Sequence, residues 1–157
     1  MRGFTIVETL VAITILTISI VVPFYAIQQG IAVSYRARDQ LIASSLAQEA
    51  VEHLRSVRDG NYLAGEPWLQ GIGICTGKTC RVDTTDDTVS LCAGNQCKLL
   101  LNGNLYNHSA GTSSRFTRTF TMERNADLWV KITVTVTWST ARQTGTVTVV
   151  EYLYNWL

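Results

Sequence analysis

The stretch at residues 9–35, TLVAITILTISIVVPFYAIQQGIAVSY, decides the fold because none of its 27 residues is charged. A helix needs about 20 apolar residues to cross the hydrocarbon core of a bilayer. The competing interpretation, a secretory signal peptide, has a shorter apolar region of about 7–15 residues. A buried core helix is also disfavoured, since so small a domain cannot surround a helix that is apolar on every side. The sequence therefore predicts a membrane-spanning helix.

The composition of the whole chain sets the remaining limits. Its 157 residues suffice for about one domain. There are 13 Lys and Arg residues against 12 Asp and Glu, so the formal charge is only +1. Such a balance provides no large positive field, and we expect no specific nucleic-acid partner. A hydrophobic fraction of 46% disfavours an intrinsically disordered chain.

Glu8 is the exception at the start of the apolar stretch. A charge at mid-membrane costs about 2.5–3.5 kcal/mol, and ionisable residues in membrane helices are candidates for function. The alternative is that Glu8 lies close enough to the end of the helix to reach the lipid headgroups. We interpret Glu8 as a functional residue.

Residues 1–8, MRGFTIVE, with the apolar stretch behind them, resemble the amino terminus of type IV prepilins and pseudopilins. The resemblance implies that residues 1–3 are a leader peptide, cleaved after Gly3 by a prepilin peptidase. It also implies that Phe4 becomes the N-methylated first residue and that Glu8 takes part in assembly. Residues 46–63 resemble, more weakly, PilV-like minor pilins and I-type pseudopilins.

The function implied by this resemblance is that of a structural subunit, a minor pilin, in a type IV pilus-like filament. The chain would be stored as a single-pass protein in the inner membrane and then join an extracellular filament at the cell surface. Its expected partners are membrane lipid, other pilin subunits, the peptidase/methyltransferase and the assembly platform. Three alternatives stay open: a pseudopilin of a type II secretion or DNA-uptake machine, an adhesion or ligand-binding module on a membrane anchor, and an unprocessed anchored protein.

The helix is predicted to continue beyond the apolar span. Residues 4–30 form the membrane or filament-core segment, and residues 31–59 continue it as an amphipathic helix. The apolar stripe of this second part recurs at helical spacing and comprises Ile42, Leu46, Ala50, Leu54 and Val57. Gly60 is predicted to end the helix. Between Pro23 and Gly30 the low helix propensity suggests that helicity is lost in an assembled filament.

Residues 60–157 are predicted to form a β-rich domain. Apolar and polar residues alternate at positions 116–122 and 130–138, and residues 146–154 return as a partner strand that closes the sheet towards Leu157. The pair Asn102-Gly103 between apolar runs is typical of a hairpin. The predicted fold class is α+β and pilin-like, with a long amino-terminal helix packed on an antiparallel sheet.

Two matching cysteine pairs, Cys75-x4-Cys80 and Cys92-x4-Cys97, admit two interpretations. Four thiolates suit a zinc site, although structural zinc sites usually have closer Cys-x2-Cys pairs. A location outside the cytoplasm instead favours disulfides, so we predict two disulfides in hairpin loops. Local pairing, 75–80 with 92–97, is preferred, while nested pairing, 75–97 with 80–92, stays open.

A cluster of acids and two histidines carry weaker signals. Asp83, Asp86 and Asp87 suggest a calcium loop, but an exposed acidic turn is the favoured interpretation. His53 on the helix and His108 in a loop have no second ligand at metal spacing. We interpret both as ordinary surface or packed histidines and expect no metal site.

The arginines at positions 115, 118 and 124 suggest contact with an anionic target, although a solvated strand face explains them more simply. The sequence contains no nucleophile motif, no phosphate-binding glycine loop and no local acid–base pair. We therefore expect no catalytic residues, no cofactor and no enzymatic activity.

Overall fold

A computed structural model describes residues 5–140 and 143–155. It consists of one long helix and one seven-stranded antiparallel sheet, which confirms the predicted α+β class. Two compact units divide the chain, Met1–Arg38 and Asp39–Leu157. The elements are α1 (Ile6–Leu63), β1 (Cys80–Asp83), β2 (Thr88–Leu91), β3 (Lys98–Asn102), β4 (Leu105–Asn107), β5 (Thr112–Asn125), β6 (Trp129–Ser139) and β7 (Thr144–Tyr154).

Helix α1 is unbroken at both of its weak points. It includes Pro23, and residues 23–30 stay helical. It also continues beyond Gly60, so the predicted end at this residue is wrong. A glycine costs a helix only about 1 kcal/mol, and Asn61 stabilises the next turn by donating its side-chain amide to the carbonyl of Gln70 at 2.9 Å. The chain leaves the helix before Gly65, which adopts a φ of +72°.

Strand β5 is the centre of the sheet. One edge of β5 pairs with β6 along residues 116–125, and β6 pairs in turn with β7. The opposite edge of β5 pairs first with β3, through Lys98 and Thr117, and further along with β1, through Cys80 and Phe120. The hairpins β1–β2 and β3–β4 therefore share one side of β5.

The predicted strands occupy their expected places. Residues 130–138 lie in β6 and residues 146–154 lie in β7. Asn102 and Gly103 connect β3 to β4, and Gly103 has the positive φ of +62° that this tight turn requires. Leu157, at which the last strand was expected to end, lies outside the described residues.

The core of the second unit lies between the carboxyl-terminal part of α1 and one face of the sheet. On the sheet, alternate residues of β5 and β6 are buried. On the helix, the middle of the predicted apolar stripe is buried, while Ile42 and Val57 at its two ends are only partly buried. The buried face is wider than the predicted stripe, because residues at i+3 and i+4 share one face. The fully or almost fully buried apolar helix residues are Ala43, Leu46, Ala47, Ala50, Val51 and Leu54.

Candidate functional site

The described part of the first unit is a helix without a buried side chain. Every described residue from 5 to 38 is exposed, including Leu16 at 64% and Phe24 at 60%. Its most apolar 18-residue window has a mean hydropathy of 2.4. By length and composition, this helix is able to cross a membrane.

Three hydroxyl groups of the apolar stretch are satisfied within the helix itself. Thr14 donates to the carbonyl of Leu10, and the hydroxyls of Thr17 and Ser19 likewise donate to carbonyls four residues earlier. In hydrocarbon an unpaired polar group is costly, so internal pairing is what a lipid environment demands. Thr14, Thr17 and Ser19 are therefore compatible with a bilayer.

Glu8 lies exposed in the first turn of α1. Its backbone N–H donates to the hydroxyl of Thr5 at 3.3 Å, which makes Thr5 a capping residue. The spacing Thr5-x-x-Glu8 matches a capping box, a signal for the helix start that the sequence interpretation missed. Gly3 and Phe4, the predicted cleavage and methylation residues, lie outside the described residues.

The second unit contains two disulfides, Cys75–Cys80 and Cys92–Cys97. The pairing is local, which excludes the nested alternative and leaves no thiolates for zinc. Cys75 and Cys80 are fully buried in the core, whereas the Cys92–Cys97 bond closes a loop between β2 and β3. Among residues 5–140 and 143–155, no cluster of His, Cys, Asp and Glu is arranged to hold a metal ion.

Arg118 is fully buried between α1 and the sheet, so neither interpretation made from the sequence was right. Its Nη1 donates to the carbonyl of Leu46 at 3.1 Å and to the carboxylate of Glu49 at 3.2 Å. Its Nη2 donates to the carbonyl of Val82 at 2.8 Å. Burial lowers the pKa of Arg118, and the negative charge of Glu49 opposes that effect. This side chain therefore connects the helix to β1 and β5 by hydrogen bonds.

The other two arginines are paired with acids. The Nη1 of Arg115 donates at 3.1 Å to Asp39, whose carboxylate is almost completely buried. Arg124 pairs with Asp127 in the turn between β5 and β6. Both arginines have a structural partner within the second unit.

Asp83 is buried at the end of β1, so the predicted exposed acidic turn is wrong for this residue. Its carboxylate accepts backbone N–H groups from His108 at 2.6 Å and from Thr85 at 3.0 Å. Burial acts to raise the pKa of Asp83, but these backbone hydrogen bonds outweigh it and lower the pKa. Asp86 and Asp87 are exposed in the turn, as expected.

The two histidines are packed. His53 places its Nε2 3.3 Å from Asp87. His108 lies just after β4, and both of its ring nitrogens are buried without a hydrogen-bond partner among the described residues. The pKa of His108 is lowered, first by burial and then by the positive charges of Arg118 and Arg81. Its imidazole is therefore kept in the neutral form.

Comparisons of the chain with protein-family models, with curated proteins and with solved structures found no match. The fold and the exposed helix nevertheless define a class. The chain is an α+β protein of pilin-like layout, with one amino-terminal helix capable of spanning a membrane and a disulfide-containing sheet domain.

Proposed function

We propose that this chain is a structural subunit, a minor pilin, of a type IV pilus-like filament. In this proposal a prepilin peptidase cleaves after Gly3 and methylates Phe4, and the chain waits in the inner membrane before it joins a filament outside the cell. Its partners are membrane lipid, other pilin subunits and the assembly platform. The role is structural, without enzymatic activity.

The observation that carries the proposal is the complete exposure of an apolar helix over residues 5–38. At about 25 cal/mol per Å², so much apolar surface does not stay in water. Lipid covers such a surface before assembly, and the equivalent helices of neighbouring subunits cover it afterwards. A small-residue stripe, Ala26, Gly30 and Ser34, permits close helix approach.

In this proposal Glu8 determines the axial position of each subunit relative to its neighbours in the filament. Cleavage after Gly3 creates a positive amine on Phe4, and paired charges are the kind that a membrane tolerates. The exposed carboxylate of Glu8 is available to the amine of a neighbouring subunit. Such a pair would fix the axial position of an incoming subunit.

The first test is the mass of the amino terminus of the chain isolated from its native membrane. The proposal expects a mature chain that begins at N-methylated Phe4. A chain that retains Met1 in every cellular fraction would exclude processing, and with it the filament role.

The second test compares Glu8→Gln with Glu66→Gln, which removes an exposed carboxylate from the second unit. We expect both variants to enter the membrane fraction, and only the Glu8→Gln variant to be missing from sheared surface fibres. Incorporation of the Glu8→Gln variant at the wild-type ratio would contradict the role of Glu8. A processed wild-type chain that never occurs in sheared fibres would favour the pseudopilin alternative.

A further inference from the structure

A cavity of about 310 Å³ lies in the second unit. Arg81 of β1 and Lys98 of β3 line it, together with His108. Arg81 and Lys98 alternate with core residues along their strands, so both point to the face of the sheet opposite α1. The remaining lining residues are Asn95, Gln96, Leu100 and Ser113.

The two cations of this cavity differ in how they are held. Arg81 is fixed, since its Nε donates to the hydroxyl of Ser90 at 2.9 Å and its Nη1 donates to the carbonyl of Gln96 at 2.8 Å. Lys98 is exposed and forms no ion pair within the described part of the chain. One positive group is thus pre-positioned and the other is free to close on a ligand.

His108 contributes a buried ring to the same cavity. Both of its ring nitrogens are buried, so they do not border the open space of the cavity. An anion in the cavity would lie beside this ring and act on it through its charge.

The charges around His108 are unevenly balanced. Its positive neighbours are Arg81 and Lys98 in the cavity and Arg118 behind it. The negative charge of Asp83 acts on His108 in the opposite direction, but the positive charges of Arg118 and Arg81 have the larger effects. The lining of the cavity itself contains two positive groups, Arg81 and Lys98, and no acid among the described residues.

We propose that this cavity binds a small oxyanion group, a carboxylate or a phosphate, between Lys98 and Arg81. The guanidinium and the ammonium supply charge-assisted hydrogen bonds, and the ring of His108 lies at the wall of the site. The disulfide loop 92–97 forms one wall through Asn95 and Gln96. The proposal does not depend on filament assembly, since every residue in it belongs to the second unit.

The test uses the full chain in non-ionic detergent micelles, with its histidines labelled for NMR. The two probes are inorganic phosphate and glucuronate, a sugar that carries a carboxylate, and glucose is the uncharged control. We expect saturable shifts of the His108 resonances with an oxyanion, and none with glucose. His53, on α1, serves as an internal reference that does not respond.

Matched variants separate a site from general attraction by charge. Lys98→Gln removes a cavity cation, whereas Lys78→Gln removes an exposed cation from the other disulfide loop. We expect Lys98→Gln to weaken the affinity about tenfold, as the loss of one charged hydrogen bond predicts. Lys78→Gln should leave the affinity within about twofold.

A second readout follows from electrostatics. A bound oxyanion stabilises the imidazolium, so it raises the pKa of His108, and glucuronate binds more tightly as the pH falls. A role of Lys98 that was only structural would not produce this linkage.

Binding of glucuronate alone identifies a sugar carboxylate as the ligand group, binding of phosphate alone identifies phosphate, and binding of both identifies a general oxyanion site. The absence of saturable shifts with both probes would overturn the proposal. Equal weakening by Lys98→Gln and Lys78→Gln would overturn it too.

Discussion

Helix α1 presents the same kind of residue in two opposite conditions. Leu16 in the first unit is 64% exposed, whereas Leu54 in the second unit is fully buried against the sheet. Both residues lie in regular helix, so helix formation itself does not explain the difference. What differs is the neighbour, because residues 39–63 have a sheet of their own chain to pack against. The described residues of the first unit have no such neighbour, and in the proposed function lipid and other subunits provide it.

The hydrogen-bond partners of polar side chains also differ between the two units. In the first unit the hydroxyls of Thr14, Thr17 and Ser19 bond to carbonyls of their own helix. In the second unit Arg118 bonds to carbonyls of two different elements. The hydrogen bonds of these three hydroxyls thus need only the helix itself, while those of Arg118 depend on tertiary structure.

The largest expected effect on stability is that of replacing the buried leucine, with the exposed leucine as its control. Leu54→Ala should lower the free energy of unfolding of the sheet domain by about 2–5 kcal/mol, because it leaves a cavity in a packed core. Leu16→Ala, the matched control, should change it by less than about 0.5 kcal/mol. Denaturant unfolding of the full chain in micelles, followed by tryptophan fluorescence, measures both. Equal losses would show that the two parts of α1 are not distinct.

The next effect concerns the buried arginine. Arg118→Ala should cost about 3 kcal/mol, since it leaves a cavity and deprives the buried carbonyl of Val82 of its donor. Arg124→Ala, which breaks an exposed pair, should cost less than about 1 kcal/mol. The same unfolding experiment measures the loss of stability in both variants. A smaller loss for Arg118→Ala than for Arg124→Ala would contradict the connecting role of Arg118.

Removal of one disulfide or the other should produce a smaller difference in the free energy of unfolding than the two arginine substitutions do. Closing each short loop stabilises the fold by about 2 kcal/mol through the entropy of the unfolded chain. Cys75 and Cys80 are also fully buried, so their double replacement by alanine should cost more than that of Cys92 and Cys97. Unfolding midpoints measured under non-reducing conditions show which of the two double replacements destabilises the fold more. Neither replacement should alter membrane insertion of residues 5–38, and impaired insertion would contradict the independence of the first unit.

The smallest effect is on the pH dependence of stability. Because the pKa of His108 is lower in the folded chain than its ordinary value of 6.5, the unfolded chain binds the proton more readily. Stability is therefore fully present above about pH 6.5 and decreases as the pH falls through the folded pKa. His108→Gln should remove this decrease, while the decrease due to Asp83 begins only below its ordinary value of 3.8. Unfolding curves between pH 7.5 and about 4.5 test this, and an unchanged slope in the variant would contradict it.

Periodicity and hydrophobicity were enough to predict most of the fold. The alternation in β6 and the helical stripe at Leu46, Ala50 and Leu54 follow from spacing alone. The helix end was missed, because Gly60 weakens a helix while the contacts of Asn61 hold the following turn. Those contacts reach the carbonyls of Trp68 and Gln70, which lie in the loop after the helix and beyond the spacing of a helix-end signal.

The burial of polar side chains was not predicted either, although the sequence pattern indicated it for Arg118. Arg118 stands in phase with Phe116, Phe120 and Met122, so its place in the alternation predicted burial. It was nevertheless interpreted as an exposed residue, because arginine side chains are seldom fully buried. The local disulfide pairing was preferred, but the sequence did not decide it, since spacing alone leaves the connectivity open.

The measurement that tests the account most directly is the environment of position 16 in two states of the native protein. A fluorophore is attached to Leu16→Cys, because all four native cysteines are in disulfides. The account predicts quenching by brominated lipid in the membrane fraction, and protection from both brominated lipid and aqueous iodide in sheared fibres. Quenching by aqueous iodide in the membrane fraction would contradict it, since position 16 would then lie in water.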